Sequence, residues 1–428
     1  MDSRIRNVAD VAAWRLCLGC GACSCVCPHG AVTLVDVLNE GIRPIVDPSR
    51  CQRCGTCLQV CPGCETTHEQ SDWPRQTIAH LQRSWGPILD IWEGHAADHA
   101  LRYAGSSGGA ASALAAYCLA RGGMTGVVHT GPATGRPWKN ATGVSRDRQQ
   151  LLLRSASRYA PASPCDALRW ATGRRERMVF IGKPCDVAAA RRAARVDPQV
   201  ERTFGCLISI FCAGTPGTVG TIKLLDRIGI LTHHIEELRF RGRGWPGMMA
   251  VRLKATKVLE DKMTYADSWS FLQRYRPYRC HLCPDGTGEF ADIACGDPWY
   301  REIQPNEPGM SLVIARTERG RRIVEGAIAQ GFLVAERADP QLLPASQPNL
   351  FSKRSALWGR AAAFRLLGLP YPRLHGFSLF ANWVGAPTRE KLRSVFGTIH
   401  RIRTRRYHEA SVYLDGPLEP HTNEVNRR

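Results

Sequence analysis

Three features of the sequence predict a chain with an α+β head, an α/β body and a helical tail. Two short runs, Cys17 to Pro28 and Cys51 to Pro62, repeat one cysteine spacing. After residue 95, apolar runs of strand length alternate with runs of helical period. Near the end, a strongly basic segment carries apolar residues at helical spacing. The boundaries read as a head over 1–68, a connector over 69–95, a body over 96–345 and a C-terminal extension over 346–428. At 428 residues the chain is long enough for two or three domains.

The head comes first. Its runs read Cys17-x2-Cys20-x2-Cys23-x3-Cys27-Pro28 and Cys51-x2-Cys54-x2-Cys57-x3-Cys61-Pro62, which is bacterial ferredoxin spacing present twice. Three cysteines in steps of three wrap a tight loop around three corners of a cubane. Gly19, Gly21 and Gly55 supply unusual backbone angles and close N–H approach. The fourth cysteine of each run serves the other cluster. One [4Fe–4S] site is therefore expected at Cys17, Cys20, Cys23 and Cys61, and the other at Cys51, Cys54, Cys57 and Cys27. Zinc calls instead for two CxxC pairs and a spacer. Cys25 and Cys64 fall outside the spacing and read as spare thiols. Between the runs, the alternation in "AVTLVDV" and the short "IRPIVD" predict two strands about the turn Asn39-Glu40-Gly41. The head is thus ferredoxin-like. It holds six basic and six acidic side chains, so bound clusters make it the acidic part of the chain.

The connector is polar, with Trp73, Pro74 and Trp85. The body opens on "SSGGAASALAAYCLARGG", a small-residue helix that starts in a serine–glycine loop and stops at Gly122-Gly123. "TGVVHTG" is the next strand. "RMVFIGKPCDVAAARRAARV" gives a buried strand at Met178–Ile181, a turn, and a helix from about Asp186. "LISIFCAGTPGTVGTIKLLDRIGI" repeats that scheme. The alternation predicts a largely parallel or mixed sheet, with ligands at the carboxyl ends of strands. Three motifs fall at such ends or at a helix start. Ser106-Ser107-Gly108-Gly109 suits a phosphate on bare helix N–H groups, but alone the signal is weak, and an ordinary N-terminal turn is the commoner use of such a stretch. Lys183-Pro184-Cys185 and Phe211-Cys212 each place a cysteine just past a strand. Cys280-x2-Cys283-Pro284 is a lone CxxC, open between zinc, redox chemistry and cluster ligation. Cys185 and Cys212 are candidates to complete a third cubane with it. By spacing alone, Cys118, Cys165, Cys206 and Cys295 are equally good candidates.

In the extension, Leu392, Val395, Phe396, Ile399 and Ile402 recur at helical period in "TREKLRSVFGTIHRIRTRRYHE". Such a helix packs on the body, or lies on an anionic membrane or an acidic partner.

Net charge is +19, and only eight of the 57 basic residues are lysine. Arginine-rich charge suits an acidic partner or surface and also arises from coding bias; no nucleic-acid motif accompanies it. The N-terminus has no apolar leader pattern, and no run is long enough to span a bilayer. A cytoplasmic chain is expected, which argues against disulfides for 18 cysteines.

Taken in order, "YAGSSGGAASALAAYCLARGGMTGVV", "VFIGKPCDVAAAR", "SIFCAGTPG", "FRGRGWPG" and "CHLCPDGTGEFADIACGDPW" resemble the beta subunit of coenzyme F420-reducing hydrogenase and its relatives. Those include F420H2 dehydrogenase input subunits, sulfite reductase head domains, hydroxymethyl-chlorophyll(ide) reductases and one class of divinyl reductase. The similarity spans about residues 14–68 and 95–345. It implies an FAD-binding α/β body with its own [4Fe–4S] cluster, carried over onto Cys185, Cys212, Cys280 and Cys283. It also implies flavin contacts at Ser106, Ser107, Gly108, Gly109, Lys183, the Arg241-to-Trp245 turn with Gly244, and Asp297. The sequence departs from the family's usual pattern at Lys183, Asp186 and Cys295.

The expected activity is that of an FAD-dependent iron–sulfur oxidoreductase. It exchanges electrons between coenzyme F420, or another reducible small molecule, and a ferredoxin or other redox partner protein. A non-catalytic wiring subunit of a larger complex is the alternative, and a basic iron–sulfur nucleic-acid protein a third reading. His281, Asp285 and Lys183 are the candidate proton donors.

Overall fold

The computed structural model describes residues 2–69, 73–174, 176–304, 307–421 and 423–425. Residues 70–72 of the expected connector lie outside the described residues.

The centre is an eight-stranded mixed sheet. Its strands run Leu333–Arg337, Asp90–Ala96, Ser311–Ala315, Ile293–Gly296, Phe204–Ile210, Met178–Gly182, Gly126–Ala133 and Arg136–Ser145 across the sheet. The four strands Ile293–Gly296, Phe204–Ile210, Met178–Gly182 and Gly126–Ala133 are parallel. The flanking strands pair antiparallel. The apolar runs of the parallel strands are largely buried, as strands covered on both faces require.

On one face the small-residue helix Ala110–Ala120 packs over Val127, Val179, Ile208, Ile293 and Val313. On the other, the helix Pro184–Val196 brings Val187, Ala189 and Ala190 against Met178, Phe180 and Phe204. The segment expected to be a connector contains a helix, Ala79–Trp85, and the sheet strand Asp90–Ala96. Polar Asp90, Glu93 and His95 mask that strand in the sequence. Asp90 is held by Arg321 and Arg337, and Glu93 accepts a hydrogen bond from Tyr300.

The head forms the expected hairpin, with Val32–Val37 antiparallel to Gly41–Val46. The far end of the chain supplies a third strand: Leu418–Pro420 pairs antiparallel with Val35–Val37. The head is tied to the body by buried polar contacts. Asp36 receives the Lys139 ammonium at 2.7 Å and the Thr218 hydroxyl at 2.8 Å. Arg169 donates to the carbonyls of Cys25 and Cys27 at 2.8 and 2.6 Å.

The basic segment is the helix Thr388–Thr404. It packs against the helix Leu357–Leu366 through Ser394 and Thr398, and Ile402 is buried beside Ile5, Val8 and Phe364. Small hydroxyl side chains let the two helices approach closely at Gly359. Leu392 and Phe396, expected to share a buried apolar face with Ile402, are exposed instead. Among the described residues, no helix is long and apolar enough to cross a membrane.

Candidate functional site

The cysteines of the head line two cavities. Left-handed glycines, Gly21 at φ 89° and Gly55 at φ 77°, turn each loop into a short helix, Ala22–Val26 or Thr56–Gln59. The third cysteine of each run sits in that helix, and the fourth follows it. A cavity of about 390 Å³ is lined by Cys17, Cys20, Cys23 and Cys61. A second, of about 400 Å³, is lined by Cys51, Cys54, Cys57 and Cys27. The fourth cysteine has crossed over in both cases. Neither lining contains a carboxylate. Backbone N–H groups of Gly19 and Ala31 donate to the sulfurs of Cys17 and Cys27, both at 3.3 Å. Cys25 packs in the core with Val60 and Leu168, and Cys64 lies beside Cys61, outside both linings.

A third cavity, of about 610 Å³, lies between head and body and is lined by Cys185, Cys212, Cys280 and Cys283. Cys185 occupies the first turn of the helix that follows strand Met178–Gly182. Cys212 follows strand Phe204–Ile210, and Cys280 lies in the helical turn Tyr278–His281. The alternatives left open by spacing stand elsewhere. Cys118 and Cys206 are in the core against the sheet, Cys165 adjoins Cys20, and Cys295 lines a different cleft. The cavity wall carries Lys183, Lys353, Arg279 and Arg43 against Glu40 and Asp285, a cationic surplus. Burial pushes the Cys212 thiol up to about 11 and raises Cys185 and Cys283 as well. These groups are thiols at neutral pH, so loading metal on them releases protons.

The first head cavity and the body cavity adjoin, and the body cavity adjoins a fourth. Cys17, Leu18, Gly19 and Ile42 line both the first head cavity and the body cavity. Lys183 lines both the body cavity and a larger cleft of about 1110 Å³. That cleft opens at the carboxyl ends of three parallel strands, through Ile181–Lys183, Ile210–Phe211 and Cys295–Asp297. Its opposite wall is the start of helix Ala110–Ala120, which has no side-chain cap. Ser106, Ser107, Gly109, Lys183 and Asp297 line it.

Gly108, Arg241, Gly244 and Trp245 do not line the cleft. Gly108 packs against Gly94 and Ser311. Arg241 is buried behind the wall, where it donates to Asp297 at 2.8 and 3.1 Å and to the Ser106 carbonyl, with its guanidinium 4.3 Å from the Tyr265 ring centroid. Trp245 Nε1 donates to Asp297 at 2.9 Å. The Arg241-to-Trp245 turn therefore braces the site instead of facing it.

His281 and Asp285 also stand away from the cleft. Burial and three arginines push His281 down to about 3, and Asp285 accepts the N–H groups of Thr287, Gly288 and Glu289. Of the three candidate proton donors, Lys183 alone reaches the cleft. Burial disfavours its ammonium, but Asp186 at 2.7 Å reverses this and holds it protonated. Lys183→Met strips the cation from the buried Asp186 carboxylate and is expected to cost about 3 kcal/mol. Adding Asp186→Asn should recover most of that loss in thermal unfolding.

Sequence reasoning missed Arg154, Arg158 and His129 in the cleft wall. Arg154 donates to Glu424 at 3.0 Å, while its other terminal nitrogen is buried without a partner. An uncapped helix start, an unsatisfied guanidinium and ample volume suit a phosphorylated cofactor. Gly309 fixes the wall from behind: a Cβ there would lie 1.9 Å from the Ser107 carbonyl oxygen. Gly309→Ala should displace the Ser106–Gly109 loop and lower the temperature of thermal unfolding.

Family models match in the same layout. Two models describe the beta subunit of coenzyme F420 hydrogenase/dehydrogenase: the N-terminal one matches residues 91–169 and the C-terminal one residues 175–341. A 4Fe-4S dicluster domain model matches residues 16–63. The chain is 24% identical over 324 residues to the coenzyme F420-dependent sulfite reductase of Methanocaldococcus jannaschii, covering 72% of this chain and 45% of that protein. It therefore spans less than half of that relative's length. It is 23% identical over 297 residues to the beta chain of the coenzyme F420 hydrogenase of Methanothermobacter thermautotrophicus, covering 67% of this chain and 99% of that one. A chain of the solved F420-reducing [NiFe] hydrogenase complex from Methanosarcina barkeri is 20% identical, with a TM-score of 0.49 over 64% of this chain and 94% of its own.

Proposed function

Because the chain belongs to the family of coenzyme F420 hydrogenase/dehydrogenase beta subunits, we propose that it is an iron–sulfur flavoprotein oxidoreductase. It exchanges electrons with coenzyme F420 at the cleft and with a one-electron carrier at the head. FAD in the cleft would interconvert two-electron and one-electron chemistry, and [4Fe–4S] clusters in the three cysteine-lined cavities would carry single electrons.

The observation that carries this is the order of the cavities. Lys183 is common to the cleft and the body cavity, and Cys17 to Gly19 are common to the body cavity and the first head cavity. The donor sets support the cofactors. The head cavities offer four cysteines and no carboxylate, and the body cavity offers four cysteines in a cationic wall.

The residues have separate tasks. Cys185, Cys212, Cys280 and Cys283 hold the body cluster, and Lys183 with Arg279 and Lys353 offsets its negative charge. Ser106, Ser107, Gly109 and Arg154 would bind the phosphates of the flavin. Arg241 and Asp297 fix the wall on which it rests. Anaerobically purified protein should contain about twelve irons and one FAD per chain. About eight irons would remove the body cluster, and stoichiometric zinc would overturn the assignment.

A further inference from the structure

Of the 18 cysteines, Cys54 is the one exposed side chain. The others are buried or half-buried. Cys54 lines the second head cavity, which shares none of its lining residues with the first head cavity, the body cavity or the cleft. Among the three cysteine-lined cavities, this second head cavity is the one with an exposed cysteine.

The surface around it is basic. Arg6, His29 and Arg53 line the cavity together with Cys54, and no acidic residue does. The guanidinium of Arg50 lies against Gly30, next to His29. Arg6, Arg50 and Arg53 are all exposed. Two carboxylates stand nearby: Asp10 pairs with Arg6 at 3.1 Å, and Asp47 acts on Arg50 at the turn before Cys51. Arg53 has no ion-pair partner among the described residues. Its backbone, at φ 54°, holds it in the loop between Cys51 and Cys54.

We propose that the Arg6–Arg50–Arg53 rim around Cys54 is the docking surface for an acidic one-electron carrier protein of the ferredoxin type. This rests on the proposed cluster at Cys27, Cys51, Cys54 and Cys57. The exchange is one electron between the carrier's cluster and this one: one is oxidised, the other reduced, and no atom or proton moves. A bound cluster adds negative charge behind the rim. The arginines screen that charge from an incoming acidic protein, and Cys54 offers the shortest exposed path to the cluster. Attraction between opposite charges in water governs encounter, so the interaction should weaken with salt.

The test uses the full-length holoprotein and a purified acidic two-cluster bacterial ferredoxin, oxidised, in calorimetric titration. Iron is counted first. The dissociation constant should rise at least tenfold between ~50 mM and ~200 mM salt. In Arg50→Glu/Arg53→Glu it should rise at least tenfold at low salt and lose its salt dependence. Reduction of the head clusters by methyl viologen radical, a small cation that needs no docking site, should persist in the variant. A variant that keeps its iron and binds ferredoxin as the parent does would overturn the docking surface alone. Equally tight binding of a basic electron-transfer protein would do the same. A parent protein with no iron on the second head set would overturn the cluster assignment, and the docking surface with it.

Discussion

Cys185→Ser should lower the iron content from about twelve to about eight per chain, with the head clusters intact. Cys185 stands on the first turn of a helix whose preceding strand is part of the central sheet, so the substitution leaves the scaffold in place. What changes is the donor. A serine hydroxyl is a poor ligand beside three thiolates, and the remaining Cys212, Cys280 and Cys283 leave one corner open. Transfer of electrons from reduced F420 to the head should then fall by at least about a hundredfold. Dithionite should still reduce the head clusters, because it reaches them from solvent. Iron analysis and electron paramagnetic resonance of the reduced protein check both statements. Cys295→Ser is the control. Cys295 lines the cleft and not the cysteine cavity, so its iron count should stay at about twelve.

The second large effect is expected at Asp297. Arg241 is among the most deeply buried large side chains in the protein. Burial alone would favour its neutral form; Asp297, on two hydrogen bonds, more than reverses this and keeps it charged. Asp297→Ala leaves that charge uncompensated, at a cost of about 3–5 kcal/mol. Arg241 also holds the Ser106 carbonyl, and Asp297 also holds Trp245, so the wall of the cleft loses its brace. Flavin should be lost while all twelve irons remain. Asp297→Asn keeps the shape and the acceptor for Trp245 but removes the charge, and its flavin content should fall between the two. The variants at Cys185 and Asp297 thus separate the two cofactors: one should lose iron and keep flavin, the other the reverse.

The two cysteine-lined head cavities were legible because their pattern is local. A cubane held by one loop imposes fixed steps between cysteines, and the crossed fourth ligand follows from the doubled run. The body cavity is different. Cys185, Cys212 and Cys280 arrive from three separate segments, and only the sheet brings them together. Spacing could not separate them from Cys118, Cys165, Cys206 and Cys295, whereas the family resemblance named the four that line the cavity.

The strand Asp90–Ala96 was hidden by its own polar residues. Asp90 and Glu93 find partners on distant segments, which a local pattern cannot display. Arg241 entered only through the family resemblance; its bond to a carboxylate fifty-six residues on leaves no local signal in the sequence. Arg154 gave no local signal. The extension's apolar pattern predicted a helix correctly, but its buried stripe runs through Ser394 and Thr398, leaving Leu392 and Phe396 exposed.

Under this proposal the cleft and the three cysteine cavities form one electron path. Anaerobic mixing of the oxidised holoprotein with reduced F420 tests it most directly, with the iron–sulfur absorbance followed in time. The account predicts bleaching in the parent protein to the extent that dithionite produces. In Cys185→Ser it predicts bleaching of the flavin absorbance alone. A parent protein whose clusters respond to dithionite but stay oxidised with reduced F420 would contradict it.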